Sequence, residues 1–113
     1  MANFLFVYRN SVEIEQQQPT PEEMQAVMAQ WGAWFQEVGE NLVNGGDALL
    51  PTGKIVKSDG AVTDGPFIEA KELVGGFSII KADSYDKAVE YAKTCPIMKV
   101  GGSVEVRELA ELG

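Results

Sequence analysis

The chain has 113 residues, of which 45% are hydrophobic and 23% charged, so the sequence predicts one globular domain spanning residues 1–113. Nine basic and 17 acidic side chains give a net charge of −8, and the first 50 residues hold seven acids and one base, Arg9. Such a negative surface repels phosphate backbones and disfavours direct binding to nucleic acid. Because no apolar run approaches the roughly 18 residues of a membrane helix and no leader-like segment precedes the first strand, we expect a cytoplasmic protein without membrane contact.

Missing residue types exclude several kinds of chemistry. The chain has no histidine, which removes Ser-His-Asp triads, Cys-His pairs and His-ligated zinc or iron. Its single cysteine, Cys95, forms no intramolecular disulfide, and we expect a small buried thiol near a helix end. The three Gly-Gly pairs lack the flanking residues of a phosphate-binding motif. The sequence therefore indicates neither a metal nor an organic cofactor.

The first predicted elements are a strand and a long helix. Residues 3–8 form an unbroken apolar run rich in aromatic residues, which predicts a central strand. Thr20, Pro21 and Glu23 are an N-cap, a first-turn proline and a capping-box glutamate, and they predict an amphipathic helix that ends at Gly39. Its apolar residues are Met24, Val27, Met28, Trp31, Trp34, Phe35 and Val38. We interpret this stripe as a core face rather than a cofactor-binding surface.

The second half of the chain predicts a hairpin, another strand, another helix and a last strand. Asp59-Gly60 between two extended segments is typical of a tight hairpin. The predicted elements are extended residues 41–50, hairpin strands 54–57 and 61–63, a central strand over 74–82, a helix over 84–94 stopped by Pro96, and a half-buried strand over 103–109.

This order of elements predicts the fold class. It is α+β: a ferredoxin-like split βαβ domain with a hairpin insert and both helices on one face of an antiparallel sheet. The first strand is apolar on both faces, since Phe4 and Phe6 alternate with Leu5 and Val7. No element remains to cover the second face. We therefore expect a second copy to cover it, which gives a homodimer with a dimeric α+β barrel.

One segment carries a family resemblance. Residues 62–72 (Val-Thr-Asp-Gly-Pro-Phe-Ile-Glu-Ala-Lys-Glu) resemble the signature of the DGPF proteins, a branch of the YCII-related family, and residues 20–24, 75–77 and 102–107 extend the resemblance. It implies a dimeric α+β barrel. Some relatives are fused to, or encoded near, extracytoplasmic-function sigma factors. Others are suspected enzymes because of a His-Asp pair in a cleft; the resemblance matches Asp64 to the acidic member, whereas the histidine has no counterpart here.

Asp64 is the candidate catalytic residue. With Gly65, Pro66 and Phe67 it is predicted to form a rigid turn, and burial there would raise the pKa of its carboxyl and suit it to general acid or base chemistry. The alternative is that Asp64 only accepts backbone hydrogen bonds in an Asx-type turn.

The candidate ligand-binding residues lie on the elements around this turn. They are Tyr8, Arg9, Phe67, Glu69, Lys71, Glu105 and Arg107. The two arginines are suited to bind a ligand carboxylate or phosphate, or else to pair with Glu69 or Glu105. The sequence thus predicts a homodimer with a small-molecule pocket and leaves open whether it is an enzyme or only a binding protein. The alternative function is a non-catalytic interaction module associated with sigma-factor regulation.

Overall fold

The structure, a computed structural model, describes residues 1–11, 13–14, 17–65 and 72–111. In these residues the chain forms β1 (Ala2–Ser11), α1 (Pro21–Val38), β2 (Leu42–Asn44), β3 (Gly53–Val56), β4 (Val62–Gly65), β5 (Glu72–Ala82), α2 (Tyr85–Lys93) and β6 (Ser103–Glu108). Short 3-10 helices, Gly39–Asn41 and Pro96–Val100, follow the two α-helices. Neither α-helix is long and apolar enough to cross a membrane, as far as the described residues show.

Four strands form one antiparallel sheet in the order β2-β5-β1-β6, while β3 and β4 form a separate hairpin. The two β-α-β units, β1-α1-β2 and β5-α2-β6, therefore interleave their strands in the ferredoxin-like manner, with the hairpin inserted between them. This confirms the predicted α+β, ferredoxin-like class.

The core lies between the sheet and the two helices. Alternate residues of β1 are buried (Phe4, Phe6 and Tyr8), and Ile80 of β5 packs among them. Trp34 and Val38 of α1, Ala88 and Ala92 of α2, and Cys95 complete the buried cluster. The small residues of α2 let that helix lie close to the sheet, and Cys95 is the buried free thiol that its position near a helix end predicts.

Helix α1 begins and ends where the sequence indicates. Thr20 Oγ1 accepts a hydrogen bond from the Glu23 amide at 3.2 Å, and the Glu23 carboxylate accepts one from the Thr20 amide at 3.3 Å. At the other end Gly39 adopts a φ of 62°, a conformation that favours glycine. These local signals depend on a few adjacent residues, and the structure confirms them.

The apolar stripe of α1 does not behave as predicted in its first half. Only Trp34 and Val38 of the helix are buried, whereas Met24, Val27 and Met28 are 44%, 43% and 66% exposed. The C-terminal half of α1 packs on the sheet, and the N-terminal half leaves open space beneath it. The interpretation of the whole stripe as a core face is therefore wrong for these three residues.

The hairpin also differs from the prediction at Asp64. The Asp59-Gly60 turn forms as expected, with Gly60 at a φ of 88° and the Ala61 amide donating to Asp59 Oδ1 at 2.9 Å. Asp64 and Gly65, however, continue β4 opposite Lys54 and Gly53, beyond the predicted strand 61–63, and Pro66 and Phe67 of the predicted turn lie outside the described residues. Cross-strand pairing accounts for this extension, because the Lys54 ammonium forms an ion pair with the Asp64 carboxylate.

The sheet face opposite the helices carries no element of the described chain. Leu5 and Val7 of β1 lie on this open face beside Ile79 and Phe77 of β5, their register partners, and all four side chains are half-buried. A dimeric barrel would cover these residues, and dimerisation stays a prediction.

Candidate functional site

A cavity of about 490 Å³ lies between the N-terminal half of α1 and the sheet. Its volume falls within the range of about 300–1,000 Å³ that is usual for small-molecule sites. Helix α1 contributes Met24, Val27, Met28, Trp31 and Phe35; β1 contributes Tyr8 and Asn10; the remaining described walls include residues 45–49, residues 75–77 and Ile97. The lining is mainly apolar and rich in aromatic rings and methionines.

Two glycine pairs shape the wall of this cavity. A Cβ on Gly46 would lie 1.7 Å from the carbonyl oxygen of Phe77, and one on Gly76 would lie 2.8 Å from the carbonyl oxygen of Asp47. The absence of side chains therefore lets residues 45–49 lie directly against β5, where the Leu49 amide donates to the Gly75 carbonyl at 2.8 Å. The same glycines add no side chain to the cavity, which leaves its space open.

Tyr8 is a predicted ligand-binding residue that the structure places in the cavity wall. Its ring packs edge-on against Trp31, with centroids 4.8 Å apart, and the side chain is 5% exposed. Burial raises the pKa of the Tyr8 phenol well above its usual range; the neighbouring Ser78 hydroxyl partly offsets this, and Cys95 adds to it. Tyr8 thus stays protonated at neutral pH.

The Tyr8 hydroxyl is shielded from solvent and has no hydrogen-bond partner of normal geometry in the described structure. Ser78, its neighbour, donates instead to the carbonyl of Gly45 at 2.7 Å. Trp31 is half-buried, because it packs on Tyr8 and also lines the cavity. Tyr8 and Trp31 together therefore join the cavity wall to the core.

The predicted arginine sites lie elsewhere, on the open face of the sheet. Arg9 donates to Glu105 Oε1 from Nη2 at 2.8 Å and from Nε at 3.2 Å, and Arg107 Nη1 donates to Glu105 Oε2 at 3.3 Å. The hydrogen bonds from Arg9 and then from Arg107 hold the pKa of Glu105 below its usual value. This is the geometry of the ion-pair interpretation, and a ligand role for the three residues stays a prediction.

A second, smaller cavity of about 310 Å³ lies beside Arg9. Its lining includes Leu49, Leu50 and Glu72, so it adjoins the end of β1 and the start of β5. Arg9 and Glu72 are its charged residues, and no aromatic residue is among the described residues that line it. This cavity therefore offers a ligand less apolar surface than the one beneath α1.

Asp64 lies apart from both cavities. Its side chain is 88% exposed and pairs with Lys54 across the hairpin. Nothing in the described residues desolvates this carboxylate, so the acid–base role of Asp64 stays a prediction. Phe67, Glu69 and Lys71 lie outside the described residues. Among the residues that are described, no cluster of His, Cys, Asp or Glu side chains is suited to hold a metal ion.

A family model of the YCII-related domain matches residues 4–112, nearly the whole chain. The chain belongs to the YCII-related family. Its membership of the DGPF branch stays a prediction.

One solved structure similar to this YCII-related chain is 5-chloro-2-hydroxyhydroquinone dehydrochlorinase (TftG) from Burkholderia phenoliruptrix AC1100, in complex with 2,5-dihydroxybenzoquinone. The two chains are 18% identical, with 96% of this chain and 94% of that chain covered and a TM-score of 0.48. Likeness at this level supports no statement about activity. No curated protein matches the chain.

The sequence predicts a small-molecule pocket but does not place it beneath α1, although two signals for that position are present. Gly75-Gly76 interrupts an otherwise apolar strand, which often marks a close backbone approach. Met24 and Met28 lie in the same part of the helix, and methionine is common at adaptable binding surfaces. Neither signal alone distinguishes a cavity from a packed core.

Proposed function

We propose that this YCII-related protein binds a small, mainly apolar molecule in the cavity beneath α1. The observation that carries the proposal is the cavity of about 490 Å³ under a helix whose inner apolar residues remain exposed. Met24, Val27 and Met28 are not buried by any of the described residues, so a ligand in the cavity would remove their apolar surface from water.

The test uses Nile red, a neutral apolar dye whose fluorescence increases in apolar surroundings. We expect saturable binding of one dye per chain. Val27→Phe should weaken that binding at least about tenfold, because the larger ring occupies the cavity. Val89→Phe on α2 is the matched control, since Val27 and Val89 are helical valines of similar exposure (43% and 39%) and only Val27 lines the cavity.

Equal dye affinity in the two variants would place the bound dye elsewhere and contradict the proposal. Absence of saturable binding to the wild-type chain would contradict it as well. Circular dichroism and thermal unfolding of both variants check that each keeps the wild-type fold, so that a loss of binding reports on the cavity.

A homodimer accompanies this proposal. Its support is the open face, where Leu5, Val7, Phe77 and Ile79 present adjacent apolar side chains that no described element covers. Because the cavity lies on the helix side of the sheet, a dimer formed through the open face would leave the cavity accessible. Binding and dimerisation are therefore separable in this architecture.

The catalytic role of Asp64 and the sigma-factor association remain hypotheses beside this proposal. Asp64→Asn tests the first, because the carboxamide keeps the shape of the side chain and removes its charge. If Asp64 belongs to the ligand site in solution, this variant should change the Nile red affinity. Lys54→Gln removes the other half of the ion pair and shows whether any change comes from the hairpin instead.

A further inference from the structure

We infer that the ligand of the α1 cavity is an organic ammonium ion with an aromatic or other apolar body, and that carboxylate and phosphate ligands are disfavoured. This inference rests on the proposed function, because it names the ligand class of the same cavity. It is carried by the charge of the cavity lining, by its aromatic rings and by the distribution of acids along the chain.

The charge that the described residues bring to the cavity lining is negative. Asp47 is the one charged side chain among the described residues that line the cavity. Its backbone carbonyl accepts from the Phe77 amide at 3.3 Å, which fixes the residue against β5. Its side chain is exposed, and none of the ion pairs of the described structure involves it. A carboxylate accepts hydrogen bonds and donates none, so the matching ligand group is a donor with positive charge.

Aromatic rings supply the second reason. Trp31 and Phe35 of α1 and Tyr8 of β1 line the cavity with aromatic rings. An aromatic face attracts a cation through the ring quadrupole, most strongly for tryptophan, and the attraction increases where water is excluded. The rings also bind the apolar body of the ligand. An aryl ammonium ion therefore matches the lining in both of its parts.

The charge of the first 50 residues also favours a cationic ligand. Seven acids and one base occur in the first 50 residues, which contribute α1 and residues 45–49 to the cavity. The single base, Arg9, pairs with Glu105. This excess of acids, in the part of the chain that forms much of the cavity wall, favours the approach of cations over that of anions.

The experiment compares three probes with the same bicyclic body and different charge: 2-naphthylmethylamine as its ammonium ion, 2-naphthalenemethanol and 2-naphthoate. Isothermal titration at about pH 7 and low salt measures each affinity. We expect the ammonium to bind about three- to thirtyfold more tightly than the alcohol, and the carboxylate to bind most weakly. Raising the salt concentration should narrow the difference between ammonium and alcohol.

Asp47→Asn tests the assigned residue, with Asp83→Asn as the control. Both aspartates are exposed and both variants change the net charge equally, but Asp83 does not line the cavity. Asp47→Asn should weaken ammonium binding about two- to fivefold and leave the alcohol unchanged. Asp83→Asn should leave all three affinities unchanged.

The outcomes separate the two proposals. Equal binding of the three probes, or equal effects of the two aspartate variants, would overturn the ammonium inference and leave the apolar binding site intact. If no probe binds and Nile red does not bind either, the proposed function fails and the inference fails with it. Tighter binding of the carboxylate than of the alcohol would show that the cavity has the opposite preference.

Discussion

Trp34 and Tyr8 each bury a polar atom in the same core, but only the polar atom of Trp34 has hydrogen-bond partners of normal geometry among the described residues. Trp34 Nε1 donates to the Tyr91 carbonyl and to Thr94 Oγ1, both at 3.1 Å, whereas the Tyr8 hydroxyl lacks a hydrogen-bond partner of normal geometry in the described residues. A polar group that is buried on folding loses its hydrogen bonds to water. It contributes to stability only if hydrogen bonds within the protein replace them. The two aromatic residues should therefore respond differently when the polar atom is removed.

We expect Trp34→Phe to lower the free energy of unfolding by about 2–4 kcal/mol, because it removes hydrogen bonds and leaves a partly empty site. Tyr8→Phe should change that free energy by less than about 1 kcal/mol, since it removes a hydroxyl that has no partner to lose. Urea denaturation at neutral pH measures both changes. A larger loss for Tyr8→Phe than for Trp34→Phe would mean that the hydroxyl has a partner in solution.

Cys95 should make stability depend on alkaline pH. Burial raises the pKa of its thiol from a usual value near 9 to about 12, although a backbone hydrogen bond involving Ile97 partly lowers it. Between these values the unfolded chain loses the proton and the folded chain keeps it, so stability falls as pH rises through this range. Below about pH 8 both states keep the proton and the thiol has no effect on the pH dependence.

The Cys95→Ala variant lacks this titration. The difference in unfolding free energy between wild type and variant should therefore be constant from about pH 6 to 8 and then shrink towards pH 11. Urea denaturation at several pH values provides both curves. The Tyr8 phenol, whose pKa is raised chiefly by its own burial and least by Cys95, is present in both proteins, so most of its contribution cancels in the comparison. A difference that stays constant up to pH 11 would contradict the raised thiol pKa.

Among the elements, helix α1 contains a glycine that the fold does not require. Gly32 lies in the exposed interior of the helix, and a Cβ placed there meets no atom within 4 Å. Alanine restricts the unfolded chain and favours the helix, so Gly32→Ala should raise the free energy of unfolding by about 0.5–1 kcal/mol.

Gly39→Ala is the contrasting change at the end of the same helix. Gly39 adopts a φ of 62°, where an alanine is strained although space for its Cβ exists. Gly39→Ala should therefore lower the free energy of unfolding by about 1 kcal/mol or more. Thermal and urea denaturation should therefore show that Gly32→Ala raises the free energy of unfolding and that Gly39→Ala lowers it. Equal destabilisation by both would mean that Gly32 has a packing role.

The elements also show which information the sequence contains. Thr20, Glu23 and the Asp59-Gly60 pair act on neighbouring backbone groups, so their effects are predictable from local sequence. The exposure of Met24 and Met28 depends instead on where residues 45–49 lie against β5, which no periodicity along the helix encodes. Local signals therefore located the elements and left their packing undetermined.

The candidate site illustrates the same limit. Tyr8, a predicted ligand-binding residue, lines the cavity beneath α1, because strand alternation places it on the helix face of β1. Its role in binding a ligand stays a prediction. Arg9 follows Tyr8 in sequence and therefore lies on the opposite face, beside Glu105. Asp64, the first residue of the predicted turn, lies in β4 opposite Lys54, whereas Pro66 and Phe67 of that turn lie outside the described residues. Tertiary pairing, rather than the residue type, decided the position of Asp64.

At the scale of the whole molecule, the described residues cover the sheet on one face only. The helices and the buried cluster occupy one side, and the apolar residues of the open face occupy the other. Leu5 and Val7 are bordered by the Arg9–Glu105–Arg107 ion pairs, so the open face combines an apolar centre with a charged margin. Adjacent apolar side chains of this kind mark interaction surfaces, and a self-complementary two-fold contact is the commonest way to cover them.

We expect the wild-type chain to sediment at equilibrium with twice its own mass at micromolar concentration. Ile79→Lys should shift it to the monomer, because a lysine on the open face would bury a charge without an opposite partner. Val89→Lys on the exposed surface of α2 is the control and should leave the dimer intact. A wild-type monomer, or equal effects of the two lysine variants, would contradict a dimer through the open face. Nile red titration of monomeric Ile79→Lys would then show whether one chain holds the complete α1 cavity, as the position of that cavity on the helix side of the sheet indicates.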